Sequence, residues 1–248
     1  MKIEFVIHKV KTCPSTNDLA KKLAEGGAPE GTVVIAEEQT KGKGRKGRAW
    51  FSAQKKGLYF SLILRPLQKD ISLLPLVAGI ATREAVKNTC GLSPKLLWPN
   101  DIIWRKKKLG GILCESGVLG DRTLYAVVGI GLNVSHEKSE FPEEIEASAT
   151  SLKLASQKPI DEEGLVRNIC RALDLWYNAY VRGESEKIIR NFEQSSVIRR
   201  GGQVTVLRED LHFSGYFAGI APDGALILEE GGRPHYFHSA EIIKIECP

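Results

Sequence analysis

The chain has 248 residues, 42% apolar and 26% charged, with a net charge of +5, material for one or two cored domains of ordinary composition. It contains no run of about 18 apolar residues, which excludes a helical membrane span, and its first residues, MKIEFVIHKVKT, mix charge into the apolar positions where a signal peptide needs an unbroken core. Five scattered cysteines (Cys13, Cys90, Cys114, Cys170, Cys247) form no C-x-x-C pair and no His/Cys cluster of metal-ligand spacing, so reduced thiols in a cytoplasmic protein are expected, with no membrane partner.

After a first strand-like segment, CPSTNDLAKKLAEGG (13–27) predicts a helix that Ser15 or Thr16 caps and Gly26–Gly27 ends. TVVIAEE (32–38) predicts a strand of β-branched residues, and GLYFSLILRP (57–66) a second, stopped by Pro66. Residues 71–90 carry apolar side chains at helical period; KLLWPND (95–101) is strand-like and broken by Pro99. Residues 101–115 predict a hairpin with RKKK near its turn, and TLYAVVGIGLNV (123–134) a buried strand. Helices are expected over 162–182, with Leu165, Ile169, Leu173, Trp176 and Tyr180 on one stripe, and over 185–195. From about Val197 short alternating strands separated by Gly and Pro turns predict a small five-stranded barrel. The expected division is a mixed α/β domain over 1–195 and a small β domain over 196–248.

The positive charge is focused. Residues 41–48, KGKGRKGR, carry +5 and residues 105–108 carry +4, leaving −4 for the remainder. Two short basic segments suit a compact anionic ligand better than a long polyanion. KGKGRKGR also contains G-x-G-x-x-G (Gly42, Gly44, Gly47), but a dinucleotide turn is followed by a helix, and AWFSAQKKGLYFSLIL has no helical period. The P-loop pattern fails as well, since Arg48–Ala49 stands where Lys-Ser/Thr must bind phosphate and metal. A nucleic-acid patch with Trp50 and Phe51 stacking on bases, and a solvated loop that orders only around an anion, stay open at this point.

Further segments narrow the choice: STND (15–18), EEQTKGKGRKGRAWFS (37–52), LYFSLILRP (58–66), WPND (98–101), KKLGGILCE (107–115) and VVGIGLNV (127–134). Each is weak alone; in this order they resemble the biotin protein ligase family, strongly to about residue 134 and by layout beyond. The resemblance implies an α/β (α+β) fold: a mixed sheet flanked by helices in a class II synthetase-like ligase domain, plus a small C-terminal SH3-like β-barrel. It implies ATP-dependent ligation of biotin to one lysine of a biotin carrier domain of acetyl-CoA carboxylase or a related carboxylase, through biotinyl-5′-adenylate. Mg²⁺ would arrive with ATP, and no fixed protein metal site is expected.

By motif position, Ser15, Thr16 and Gln39 would hydrogen-bond the biotin ureido ring, with Asn17 holding the ligand or orienting its neighbours. Lys43, Gly44 and Arg45 would line the valeryl chain and acyl-phosphate, and Arg48 would add charge toward the ATP phosphates. Trp50 would stack on adenine and Asn133 meet the base. Lys108 would donate to the reacting carboxylate and phosphate oxygens, and Gly111 and Gly131 would let backbone approach the ligand. Asp101 would take the proton of the incoming lysine, with Asn100 near the phosphate or Mg²⁺. Lys43 stands where many relatives carry arginine, which forfeits a bidentate fork. About a dozen residues precede STN, too few for the DNA-binding domain of some relatives, so no DNA partner is expected; a homodimer is compatible with the resemblance. The alternatives are a lipoate or octanoyl transferase of the related fold, and a nucleic-acid-binding module using both basic segments.

Overall fold

The computed structural model describes residues 2–67 and 70–246; Cys247 lies outside them. Strand β1 (Val6–Cys13) turns through Pro14 into helix α1 (Thr16–Glu25), and β2 (Thr32–Gln39) returns parallel to β1 in register Val6↔Thr32 to Cys13↔Gln39. Ser15 occupies the N-cap with extended backbone, but its side chain makes no cap hydrogen bond, unlike the expected capping role. The glycine-rich loop follows β2. It leads to β3 (Gly57–Leu64), which runs antiparallel to β2 with Val33 opposite Leu62. An antiparallel return with no helix between is incompatible with a dinucleotide-binding turn, which needs a helical crossover to a parallel strand.

Helix α2 (Leu74–Cys90) ends on Gly91, whose φ of 71° suits the left-handed cap of a helix. Strands β4 (Lys95–Leu97), β5 (Asp101–Trp104), β6 (Lys107–Leu119) and β7 (Arg122–Asn133) complete a seven-stranded sheet in the order β1-β2-β3-β7-β6-β5-β4. Two short helices, α3 (Glu143–Glu146) and α4 (Leu152–Ser156), precede α5 (Glu162–Val181) and α6 (Ser185–Ser195). Alternation along the strands sends side chains to opposite faces. Val33, Leu62 and Val128 join α2, α5 and α6 in the main core. Their neighbours Val34, Ile63 and Val127 pack on Ala20 and Ala24 of α1. Helices therefore cover both faces, and none among the described residues is long and apolar enough to cross a membrane.

The second sheet comprises β8 (Gln203–Arg208), β9 (Leu211–Ile220), β10 (Leu226–Glu230), β11 (Arg233–Phe237) and β12 (Glu241–Glu246), all antiparallel in the order β11-β10-β9-β8-β12. Its Val204, Val206, Phe217 and Leu228 belong to the same buried cluster as the larger sheet. Trp98 Nε1 donates to the Gly224 carbonyl at 2.9 Å, and Val197 N donates to Leu96 O at 2.8 Å. Both contacts seat the second sheet beside the WPND segment.

Candidate active site

One cavity is bounded by the start of α1, the end of β2, the glycine loop, residues 97–101, and the facing stretches of β6 and β7. The loop is a small hairpin. Gly44 N donates to Arg48 O at 2.7 Å and Trp50 N to Gly42 O at 2.9 Å, while Lys46 and Gly47 turn the tip with φ of 54° and 73°. A Cβ on Gly42 would lie 2.4 Å from Trp50 O, so this glycine permits the close approach of the hairpin's two arms.

The inner wall is a buried polar network. Gln39 Oε1 accepts from Thr16 N at 2.8 Å and from Thr16 Oγ1 at 3.1 Å, and Gln39 Nε2 donates to Ser52 Oγ at 2.8 Å. The Ser61 hydroxyl sits 2.8 Å from Thr16 Oγ1 and 2.7 Å from Asn17 Oδ1. Asn17 Nδ2 donates to Leu113 O at 3.2 Å and to Glu115 Oε2 at 2.8 Å. Such a network fixes rotamers, because every member that moved would leave a buried partner unpaired. Ser15 lines the same wall, its hydroxyl oxygen accepting no hydrogen bond from the helix N-terminus. A Cβ on Gly129 would fall 2.2 Å from Asn17 Oδ1, so β7 needs glycine there for α1 to seat its asparagine.

The opposite wall is cationic. Arg45 Nη1 donates to Asn100 Oδ1 at 3.2 Å and Nη2 to Ser239 Oγ at 3.1 Å. Burial pulls its guanidinium below the usual range, against the raising influence of Asp101 and Glu241; it stays charged, and poorly hydrated, which suits it to an anion. Arg48 holds Glu241 in a fork, with Nη1 at 2.9 Å from Oε1 and a second contact from Nη2 to Oε2. That pairing raises the arginine and lowers the glutamate from their ordinary values. Lys43 Nζ is 2.6 Å from Asp18 Oδ1 and so ties the loop to α1.

Lys108 Nζ lies 2.8 Å from Asp101 Oδ1 and 5.8 Å from the Trp50 ring centroid. Its backbone is pinned to the segment before α4, since Lys108 N donates to Ser148 O at 2.7 Å and Thr150 N to Lys108 O at 2.9 Å. The Trp50 indole rests against Gly131, where a Cβ would come within 2.6 Å of Cε2. Trp50 Nε1 is buried without a hydrogen-bond partner. A Cβ on Gly111 would meet Trp50, Lys108 and Asp101 at 3.5 to 3.7 Å, so its absence leaves open space among those three groups.

The cavity thus gathers Ser15, Thr16, Asn17, Gln39, Lys43, Gly44, Arg45, Arg48, Trp50, Asn100, Asp101, Lys108, Gly111 and Gly131. Asn133 does not join them: it is buried at the end of β7, and its Nδ2 donates to Thr150 O at 3.0 Å. Ser239 and Glu241 escaped the sequence reading, because no local signal links them to a loop some 190 positions earlier. Ser61 and Glu115 escaped it too, although both sit inside the quoted motifs.

Known proteins resemble the chain over both sheets. A sequence model of the Biotin/lipoate A/B protein ligase family matches residues 10–133, and one of the Biotin protein ligase C terminal domain matches residues 201–244. The Bifunctional ligase/repressor BirA of Bacillus subtilis is 35% identical over 231 residues, spanning 92% of this chain and 70% of that protein. The Biotin--[acetyl-CoA-carboxylase] ligase of Mycobacterium tuberculosis is 31% identical over 245 residues, spanning 93% and 86%. Among solved structures, the biotin protein ligase from Aquifex aeolicus in complex with biotin and ATP superposes with a TM-score of 0.83 at 28% identity, over 97% of this chain and 98% of that one. With both domains matched in order along one chain, this protein belongs to the biotin protein ligase family.

Proposed function

We propose that the protein joins biotin to one lysine of a biotin carrier domain at the expense of ATP, through biotinyl-5′-adenylate, with residues 1–195 as the catalytic unit. The observation that carries this reading is one cavity in which a buried hydroxyl–amide network faces Arg45 and Lys108 across a glycine hairpin. The network offers the fixed donors and acceptors that a ureido ring requires, from Ser15, Thr16, Asn17 and Gln39. The cations serve the first step, in which the biotin carboxylate oxygen attacks the α-phosphorus and the bond to the pyrophosphate leaving group breaks. Two anions meet there, so preorganised positive charge lowers the barrier. Lys108 borders the open space beside Gly111, and Trp50, on the same space, is the flat apolar surface for the base.

In the second step the carrier lysine amine attacks the acyl carbon, the carbonyl–phosphate bond breaks, and AMP leaves. Asp101 would accept the amine proton; its carboxylate is held by Lys108 until the ammonium turns to the phosphate. Magnesium would be carried by the triphosphate, and the carboxylate of Asp101 and amide oxygen of Asn100 are the hard oxygen donors the cavity offers it. The match of residues 201–244 to a biotin protein ligase domain favours biotin over lipoate as the acid. The test is incubation with labelled biotin, ATP, Mg²⁺ and an apo biotin carrier domain. Label on the carrier with release of pyrophosphate is expected. Release without labelled carrier would limit the protein to adenylate synthesis, and neither signal would defeat the reading.

A further inference from the structure

Only the last residue of the RKKK run takes part in the cavity. The three before it build the tip of the β5–β6 hairpin, where Trp104 pairs with Lys107 and two residues make the whole connection. Arg105 and Lys106 both have positive φ, 46° and 68°, the geometry of a type I′ turn, for which Asn-Gly is the favoured pair. A side chain in that region costs about 1 kcal/mol or more. Long cations are therefore poor turn formers here, and their presence needs another reason. Arg105 and Lys106 are exposed, and among the described residues no carboxylate lies within ion-pair distance of either. Arg48 and Lys43, in contrast, are held by Glu241 and Asp18. The guanidinium of Arg105 stands over Trp104, 5.6 Å from the ring centroid, a cation–π contact.

The tip also stands beside the cavity mouth. Asp101 and Lys108, at the cavity's edge, lie on the same two strands. Trp104 is three residue steps along the strand from Asp101, a reach of about 10 Å. A protein docked to deliver a lysine covers about 800 Å² of each partner, a disc of radius about 16 Å. A partner centred on the cavity mouth therefore covers the tip. We propose that residues 105–107 dock an acidic surface of the carrier domain around its acceptor lysine. This rests on the ligase reading and adds to it a specific contact for the macromolecular substrate.

The test compares the unaltered protein with Arg105→Asn/Lys106→Gly, a pair that removes two charges and relaxes the turn, so that the fold is retained. Two reactions are measured: biotin-dependent exchange of pyrophosphate into ATP, and transfer to an apo biotin carrier domain with an acidic face. The exchange should stay within about twofold. The kcat/KM for the carrier should fall about tenfold through KM, and the gap should close as salt rises from about 50 to about 300 mM. An unchanged carrier KM would overturn the proposal. So would a raised KM for ATP in the exchange, which would give the tip to the triphosphate. Tight, salt-sensitive binding of RNA or DNA lost in the variant would make the partner a nucleic acid. Self-association lost in the variant would make it a second copy docking the acidic turn at Glu209–Asp210, whose φ values are 49° and 65°. No exchange by the unaltered protein would defeat the ligase reading itself, and this one with it.

Discussion

Replacing Lys108 by alanine separates folding from chemistry. The backbone hydrogen bonds to Ser148 and Thr150 do not involve its side chain and survive the change. What is lost is an ion pair to Asp101 whose side chains are 41% and 24% exposed, and a cation–π contact at 5.8 Å. A pair this open is worth about 0–1 kcal/mol and the ring contact about 0.5–1 kcal/mol. The unfolding free energy should therefore fall by about 0.5–2 kcal/mol, leaving the protein folded. In the first chemical step the same ammonium faces charge developing on the carboxylate and phosphate oxygens. Removing one such donor costs about 3–4 kcal/mol of transition-state stabilisation, or roughly 10²–10³ in rate. Single-turnover formation of the adenylate, biotin binding without ATP and denaturant unfolding together read these quantities. A slow first step with biotin affinity within about threefold is the expected result. Normal turnover would remove Lys108 from the mechanism. A stability loss above about 4 kcal/mol would mean that the lysine acts through the fold instead.

Gly131→Ala would drive a methyl group to 2.6 Å from Trp50 Cε2, forcing the indole out of place. The KM for ATP should rise about tenfold or more while biotin affinity holds; calorimetric titration of each ligand checks this, and an unchanged nucleotide affinity would show that Trp50 does not receive the base. His136 is buried, stacks on Phe141 at 4.8 Å, and has neither ring nitrogen hydrogen-bonded. Burial pushes its pKa from the usual 6.5 to about 4, with Glu140 raising it and Lys56 lowering it. The unfolded chain therefore binds more protons between these values, so the contribution of neutral His136 is whole above pH 6.5 and lost as pH falls toward 4. It amounts to about 3 kcal/mol. His136→Phe should be no less stable at pH 7 and should lose stability less steeply between pH 6.5 and about 4; urea midpoints parallel to those of the unaltered protein would refute this.

Strong periodicity was legible in the sequence. The strand expected over 32–38 is Thr32–Gln39, a β-branched run buried on both faces, and the helix expected over 162–182 is Glu162–Val181, which buries one well-marked stripe. Helices α3 and α4 were not, having four and five residues and too little length to display a period. Lys108, Arg45 and Trp50 were found through local motifs that map onto adjoining walls of one cavity. Asn133 shares a motif with Gly131, but two positions along the strand its amide is engaged by Thr150 instead. Ser239 and Glu241 carry no local pattern at all; only the packing of the second sheet against the WPND segment brings them to the loop. The stretch after the hairpin, without helical period, already separates its glycines from a dinucleotide turn, yet which of them is sterically required shows only in three dimensions.

The clasp of Arg48 on Glu241 joins residues 193 positions apart, and this has a consequence for biosynthesis. As the chain leaves the ribosome, the seven strands of the larger sheet are all made by Asn133, with the glycine hairpin already among them. Arg45 and Arg48 must then wait for Ser239 and Glu241 before their guanidiniums find these partners. Until that point the nascent protein displays two arginines and three lysines on a glycine hairpin with nothing from the second sheet to hold it. Emergence of Ser239 and Glu241, at the entry to β12, is therefore the event that gives both arginines these partners.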